Sequence, residues 1–199
     1  MLNFAYRFLF PAIWLAWALY WWLASRGAKA AARREPLGSW LLHVLPLLVA
    51  VALLWANRVP VAVLNQRLFP WAPWQFWVAT LITAAGLGFT VWARLHIGRN
   101  WSGSVTIKHG HELITTGPYS IVRHPIYTGL LVAFIGSALA RGEWRGLLAV
   151  GIAWAALLRK LQLEERWMSE RFGEEYADYR RRVPALVPLV KQSGTRGSG

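Results

Sequence analysis

The sequence predicts an all-α integral membrane protein with five transmembrane helices, and three observations carry that prediction. Long apolar runs recur along a chain of 199 residues, of which 56% are hydrophobic. Polar and charged residues gather in the segments between those runs. The basic residues also crowd alternate connecting segments, as they do in chains that cross a bilayer repeatedly. The length suits one domain. Residues 1–192 are read as a single transmembrane unit, with spans one to three in 1–95 and the catalytic region in 96–192.

The spans are expected at residues 4–24, 40–57, 73–93, 125–140 and 144–160, each near the ~17–25 residues that a bilayer requires. The first is too long and tryptophan-rich for a signal peptide, and no small-residue cleavage site follows it cleanly. Trp14, Trp17, Trp21, Trp22, Trp71, Trp74 and Trp77 fall at or near expected span ends and read as interfacial anchors. Gly86 and Gly88 in the third span suggest close helix packing, although they form no GxxxG pair. The last two spans are short and read as a tight helical hairpin. Beyond them a helix is expected from 160 to about 171, a pause at Gly173, and a resumption through Tyr179 that stops before Pro184. The extreme end, SGTRGSG (193–199), reads as a flexible tail or an expression scar.

A formal charge of +13 raises nucleic acid as a partner, and the distribution of charge argues against it. With the N-terminus outside, the inner segments hold Arg26, Lys29, Arg33, Arg34, Arg94, Arg99, Lys108 and Arg123. To these are added Arg159, Lys160, Arg166, Arg171, Arg180, Arg181, Arg182, Lys191 and Arg196, leaving only Arg7, Arg58, Arg67, Arg141 and Arg145 near the outer side. The asymmetry places the C-terminus in the cytoplasm and explains the charge without nucleic acid. Absence of cysteine excludes a disulfide, a thiolate zinc site and a cysteine nucleophile, and leaves the redox compartment open.

The chemistry concentrates in two inner segments. HIGRNWSGSVTIKHGHELITTGPYSIVR (96–123) is too polar to span and too long for an ordinary connection, which points to function or disorder. Its alternation at Val105 and Ile107, broken by Gly110, predicts a short extended piece and a turn. In the following RHPIYTG, Pro125 suits the first helical position with His124 near the cap. That helix start offers unpaired backbone donors and a partial positive charge for an anionic group. Arg123 adds a full charge, Tyr119 and Tyr127 add aromatic faces, and Tyr127 shares a helical face with His124. Taken singly, Arg123 could merely follow the positive-inside tendency and Tyr127 could be interfacial. Glu164 and Glu165 supply carboxylates for a cationic ligand; a plain Lys160–Glu164 surface pair is the alternative. His96, His109, His111 and His124 lack metal-ligand spacing, and neither a GxGxxG nor a Walker loop occurs.

Two blocks, GHELITTGPYSIVRHPIYTG and LRKLQLEERWMSERFGEEYADYRRRVPALVP, together resemble the isoprenylcysteine carboxyl methyltransferase family. The membrane phospholipid methyltransferases share the C-terminal pattern. The resemblance covers about residues 96–190; spans one to three match only as hydrophobic helices. It implies an integral membrane enzyme using S-adenosylmethionine. The cofactor would lie in a cytoplasmic pocket walled by the loop, the RHPxY helix and the C-terminal helix. A lipophilic acceptor would enter from the bilayer.

Carried over by position, the cofactor contacts fall on His111, Glu112, Leu113, Ile114 and Tyr119, on His124, Pro125, Ile126 and Tyr127, and on Glu164. Lys160 stands where the eukaryotic enzymes carry an arginine that helps hold the acceptor; the charge is kept but the bidentate geometry is lost. The chemistry agrees: carboxylates and aromatic faces suit the cations of S-adenosylmethionine, and a helix start suits its carboxylate. In-line methyl transfer depends on alignment. An acceptor carboxylate or thiolate needs no base, whereas an amine or phenol would have His124 or Glu165 as candidates.

The expected catalytic set is thus Lys160, Glu164, Glu165 and Arg123, with no metal. Expected partners are a lipophilic or prenylated substrate and membrane lipids, with no nucleic acid, and the chain is expected to work as a monomer. The alternatives are a phospholipid amine methyltransferase, an NADPH-dependent membrane reductase of the sterol reductase type, and a non-catalytic lipid-binding scaffold. The reductases are much longer chains, and the scaffold leaves the polar loop unexplained.

Overall fold

A computed structural model describes residues 2–26, 31–98, 106–108 and 113–188. Six α-helices appear there: α1 (Leu2–Ser25), α2 (Leu37–Trp55), α3 (Pro73–Ile97), α4 (Pro125–Arg141), α5 (Trp144–Phe172) and α6 (Glu174–Arg182). Prolines open α3 and α4 at a position where a missing N–H costs nothing. Four helices are long and apolar enough to cross a membrane: α1 from Phe8, α2, α3 and α5. The apolar α4 has 17 residues, about 25 Å against a hydrocarbon core of about 30 Å. The 29 residues of α5 make about 43 Å, so its C-terminal turns outrun the core.

The expected break at Gly173 is present, with φ +50° separating α5 from α6. One short antiparallel ribbon joins β1 (Ala31–Arg34) to β2 (Thr106–Lys108), pairing Arg33 with Ile107 and Arg34 with Thr106. It supplies the extended piece expected around Ile107.

Helices α3 and α4 meet through backbone. A Cβ on Gly86 would sit 2.6 Å from the Gly129 carbonyl oxygen, and one on Gly129 would sit 2.5 Å from that of Gly86. Gly88, by contrast, has nothing within 4 Å, so only one of the two glycines expected to permit packing does so. Helices α2 and α5 share a core of Ala50, Leu54, Ala149 and Ala153 with Phe134 and Ala138 of α4.

Two tryptophans depart from the interfacial expectation. Trp14 and Trp17 lie in the middle of α1, where Trp14 donates to the Ser137 hydroxyl at 3.1 Å and Trp17 to that of Thr90 at 2.7 Å. Both therefore tie α1 into the bundle through polar groups that lipid could not satisfy. At the end of the bundle carrying the 56–72 and 141–144 connections, Arg145 is buried and donates to Glu143 (2.6 Å) and to the Ala56 carbonyl (2.7 Å). Arg141 reaches the same carbonyl at 2.9 Å. These arginines satisfy carbonyls left open where α2 ends.

Candidate active site

At the opposite end, three elements converge on the start of α4. The chain after α6 runs beside it as a strap: the Arg123 and His124 amides donate to the carbonyls of Pro184 (2.8 Å) and Ala185 (3.0 Å). The Thr128 hydroxyl donates to that of Leu186 at 2.8 Å. Tyr179 of α6 donates its phenol to the Tyr119 carbonyl at 2.6 Å. Burial pushes the Tyr119 and Tyr179 phenols above their ordinary 10, so both keep their protons. His124 occupies the cap position, yet its side chain makes no capping bond. It turns instead toward α5.

On α5 the two adjacent glutamates divide. Glu165 belongs to the scaffold: Arg123 donates to its Oε1 through Nε (2.9 Å) and Nη2 (2.5 Å), and Arg180 lies 3.6 Å from its Oε2. Through Nη1, Arg123 also donates to the Val183 and Arg180 carbonyls. Arg123, expected to draw an anion, is thus committed to joining α5, α6 and the strap. Glu164 accepts the Tyr127 phenol at 2.5 Å and faces His124 Nδ1 at 3.5 Å, and its side chain is 26% exposed against 13% for Glu165.

His124 bridges the pair, with Nε2 3.2 Å from Glu165. Burial alone would lower its pKa, but the hydrogen bonds and charges of both glutamates outweigh it and hold the pKa above the ordinary 6.5. A ring so engaged at both nitrogens is poorly placed to take a proton from an acceptor. The His124 and Tyr127 rings stack nearly parallel, 5.4 Å between centroids and 4° apart, and Lys160 Nζ stands 5.5 Å from the Tyr127 centroid.

Of the other expected residues, Leu113 packs on the Tyr176–Tyr179–Val183 cluster and Ile126 on the cluster around Tyr127 and Leu131. Pro125 is fully buried and Ile114 half-buried. His111 and Glu112 lie outside the described residues. The structure therefore brings Arg123, His124, Tyr127, Glu164 and Glu165 into hydrogen-bonding reach, with Lys160 alongside.

Sequence reasoning gave no individual role to Tyr179 and Arg180, although both lie within the second motif block. It also passed over Glu35 and His43. Glu35 Oε1 accepts the Ser39 hydroxyl at 2.5 Å and lies 3.6 Å from His43 Nδ1. An ionisable residue inside an apolar span, as in LLHVLP, was the available signal.

Comparison with known proteins points the same way. The phospholipid methyltransferase family model matches residues 74–175, just over half the chain. Protein-S-isoprenylcysteine O-methyltransferase B of Arabidopsis thaliana is 29% identical over 128 residues, covering 61% of this chain and 65% of its own. The cobalt-zinc-cadmium resistance protein CzcN of Cupriavidus metallidurans is 30% identical over 132 residues, 64% of this chain and 59% of its own. Methanethiol S-methyltransferase 2 of Bradyrhizobium diazoefficiens is 48% identical over 82 residues, 41% of this chain and 30% of its own. The chain spans less than two-thirds of the length of each of these relatives. The matched region contains the start of α4 and both glutamates, and the chain belongs to the phospholipid methyltransferase family.

Proposed function

We propose that the chain is an S-adenosylmethionine-dependent methyltransferase that acts on a lipophilic acceptor at the cytoplasmic face of a membrane. In this reading α4 is a fifth, short span, the N-terminus is outside, and the strap, α6 and the end of α5 are cytoplasmic. The favoured acceptor group is an isoprenylcysteine carboxyl or a thiol. Methyltransferase relatives and the family match favour methyl transfer over the NADPH reductase alternative.

The observation that carries the reading is the division of the glutamates. Arg123 and Arg180 both go to Glu165, while Glu164 stays partly exposed beside the stacked His124–Tyr127 pair. This donor set fits S-adenosylmethionine: a carboxylate for a cationic group, and ring faces for an adenine or a sulfonium. When bound, that molecule supplies a methyl group on a positively charged sulfur. Glu164 holds the cation, Tyr127 fixes Glu164 through its phenol, and His124 fixes the ring stack. Lys160, on the turn of α5 before Glu164, orients the acceptor's polar head toward the same point.

The test is cofactor binding by detergent-solubilised protein. S-adenosylmethionine at a hundred times its Kd should stabilise the folded state by about 2.7 kcal/mol. Glu164→Ala should abolish that shift while leaving a cooperative melt. Undiminished affinity in the variant would refute the assignment, and stabilisation by NADPH instead would favour the reductase.

A further inference from the structure

Among the described residues around the start of α4, neither His124 nor Glu165 is placed to take a proton from an acceptor. His124 faces a carboxylate at each ring nitrogen, and Glu165 is held by Arg123 and Arg180. Among the described residues, one other imidazole is buried. His43, on α2, is 1% exposed, and neither ring nitrogen makes a hydrogen bond. The Glu35 carboxylate lies 3.6 Å from Nδ1; its Oε1 is engaged by Ser39, while its Oε2 is buried without a partner. An imidazole with a carboxylate beside one nitrogen and no partner at the other holds the two groups of a general base and its orienter, one small shift from a hydrogen bond.

Its position suits the same reaction centre. Leu47, one turn further along α2 on the His43 face, packs against the cluster of Tyr127, Leu131, Leu157 and Leu161. That face of α2 therefore looks onto the α4–α5 seam, where Tyr127 and Lys160 lie. Arg159 ties the two helices at this level by donating to the Ser39 carbonyl and hydroxyl, both at 3.0 Å. The charges acting on His43 are those of Lys160, Glu35, Arg159 and Glu164. Each comes from an element bordering the proposed centre.

Resting on the methyltransferase reading, we propose that His43, oriented by Glu35, is the catalytic base that ionises a lipophilic thiol acceptor for methylation. The thiol S–H bond breaks and its proton passes to the open nitrogen of His43. The sulfur pair then forms the new S–CH3 bond while the methyl–sulfonium bond of S-adenosylmethionine breaks, its electron pair staying on the departing sulfur. Two neutral thioethers result, and His43 later returns the proton to solvent. Lys160 stabilises the transient thiolate.

The surroundings select among acceptors. A carboxylate acceptor is ionised already, needs no base, and would face the Glu35 charge. An amine arriving as an ammonium would meet Arg159 and Lys160. A neutral thiol carries no charge past these groups and has use for a base.

The test compares octanethiol, protonated at neutral pH, with 4-nitrobenzenethiol, which is ionised there, using full-length protein in detergent and S-adenosylmethionine as donor. His43→Gln should lower the rate with octanethiol by about 100-fold or more, and with the aromatic thiol by less than about tenfold. Its melting-temperature shift with S-adenosylmethionine should be retained. Glu35→Gln should give a smaller loss in the same direction, partly restored by Glu35→Asp. The ratio of the two rates within one preparation is independent of the folded fraction, and His43→Asn serves if His43→Gln does not fold. Equal losses for both thiols, or no loss, would overturn the base. Wild-type protein that binds S-adenosylmethionine but methylates no thiol would overturn the thiol proposal alone. Failure to bind S-adenosylmethionine would overturn both readings.

Discussion

Removing the carboxylate of Glu165 should damage the fold, whereas removing that of Glu164 should damage binding. The Arg123 side chain is 9% exposed and directs Nε and Nη2 at a single oxygen of Glu165. Glu165→Ala leaves that guanidinium almost buried without its counter-charge, a loss of about 3–5 kcal/mol for a broken buried pair. For a chain of this size each kcal/mol moves the melting temperature by about 2–4 °C. The expected fall is therefore about 6–20 °C. Glu165→Gln keeps an acceptor oxygen but loses charge assistance, at about 2 kcal/mol. Glu164→Gln still accepts the Tyr127 phenol and should cost no more than about 1 kcal/mol.

The assay is intrinsic-fluorescence melting of detergent-solubilised protein, for which 14 tryptophans give ample signal. Pairing Glu165→Ala with Arg123→Ala should cost less than the sum of the single changes, because the stranded charge is gone. If Glu165→Ala melts like wild type, or Glu164→Gln falls as far as Glu165→Ala, the division between scaffold and site is wrong.

Other consequences concern His124 and the α3–α4 seam. Because the folded-state pKa of His124 is raised, its contribution to stability is complete below the ordinary 6.5 and disappears as pH rises through the folded value. Melting temperature should therefore fall with rising pH above about 6.5, and His124→Gln should flatten that slope; an unchanged slope would remove the ring from the account. Gly86→Ala drives a Cβ to 2.6 Å from the Gly129 carbonyl and should destabilise by about 1–3 kcal/mol. Gly88→Ala, two residues away with open space, should be neutral or gain up to about 1 kcal/mol. Equal melting temperatures for these two variants would refute the close approach.

The membrane class and the helix positions were legible in the sequence because lipid imposes its demand locally. Every crossing needs its own continuous apolar run, and every polar segment must lie outside it. Pro125, Gly173 and Pro184 mark helix ends by backbone chemistry that needs no neighbours. The RHPIY and LEE motifs contain the residues that the structure brings into hydrogen-bonding reach, and they were legible for a similar reason: each is compact in sequence.

Which glutamate serves which purpose was decided only in three dimensions. Glu164 and Glu165 are consecutive, and their roles diverge because helical rotation turns one toward Arg123 and the strap and the other toward Tyr127. Trp14 and Trp17 read as interfacial until Ser137 and Thr90, far along the chain, appeared as their partners. Gly86 and Gly88 are chemically identical, and only the path of α4 distinguishes them. His43 stood as one polar residue in an apolar run. Its carboxylate neighbour, Glu35, comes from the turn ahead of its own helix, and the packing of Leu47 sets that face of α2 against the Tyr127 cluster. The sequence by itself determined which segments form apolar helices and where the polar residues gather, because hydrophobicity is a property of each segment alone. The tertiary structure decided the role of each polar group, because that depends on partners contributed by other helices.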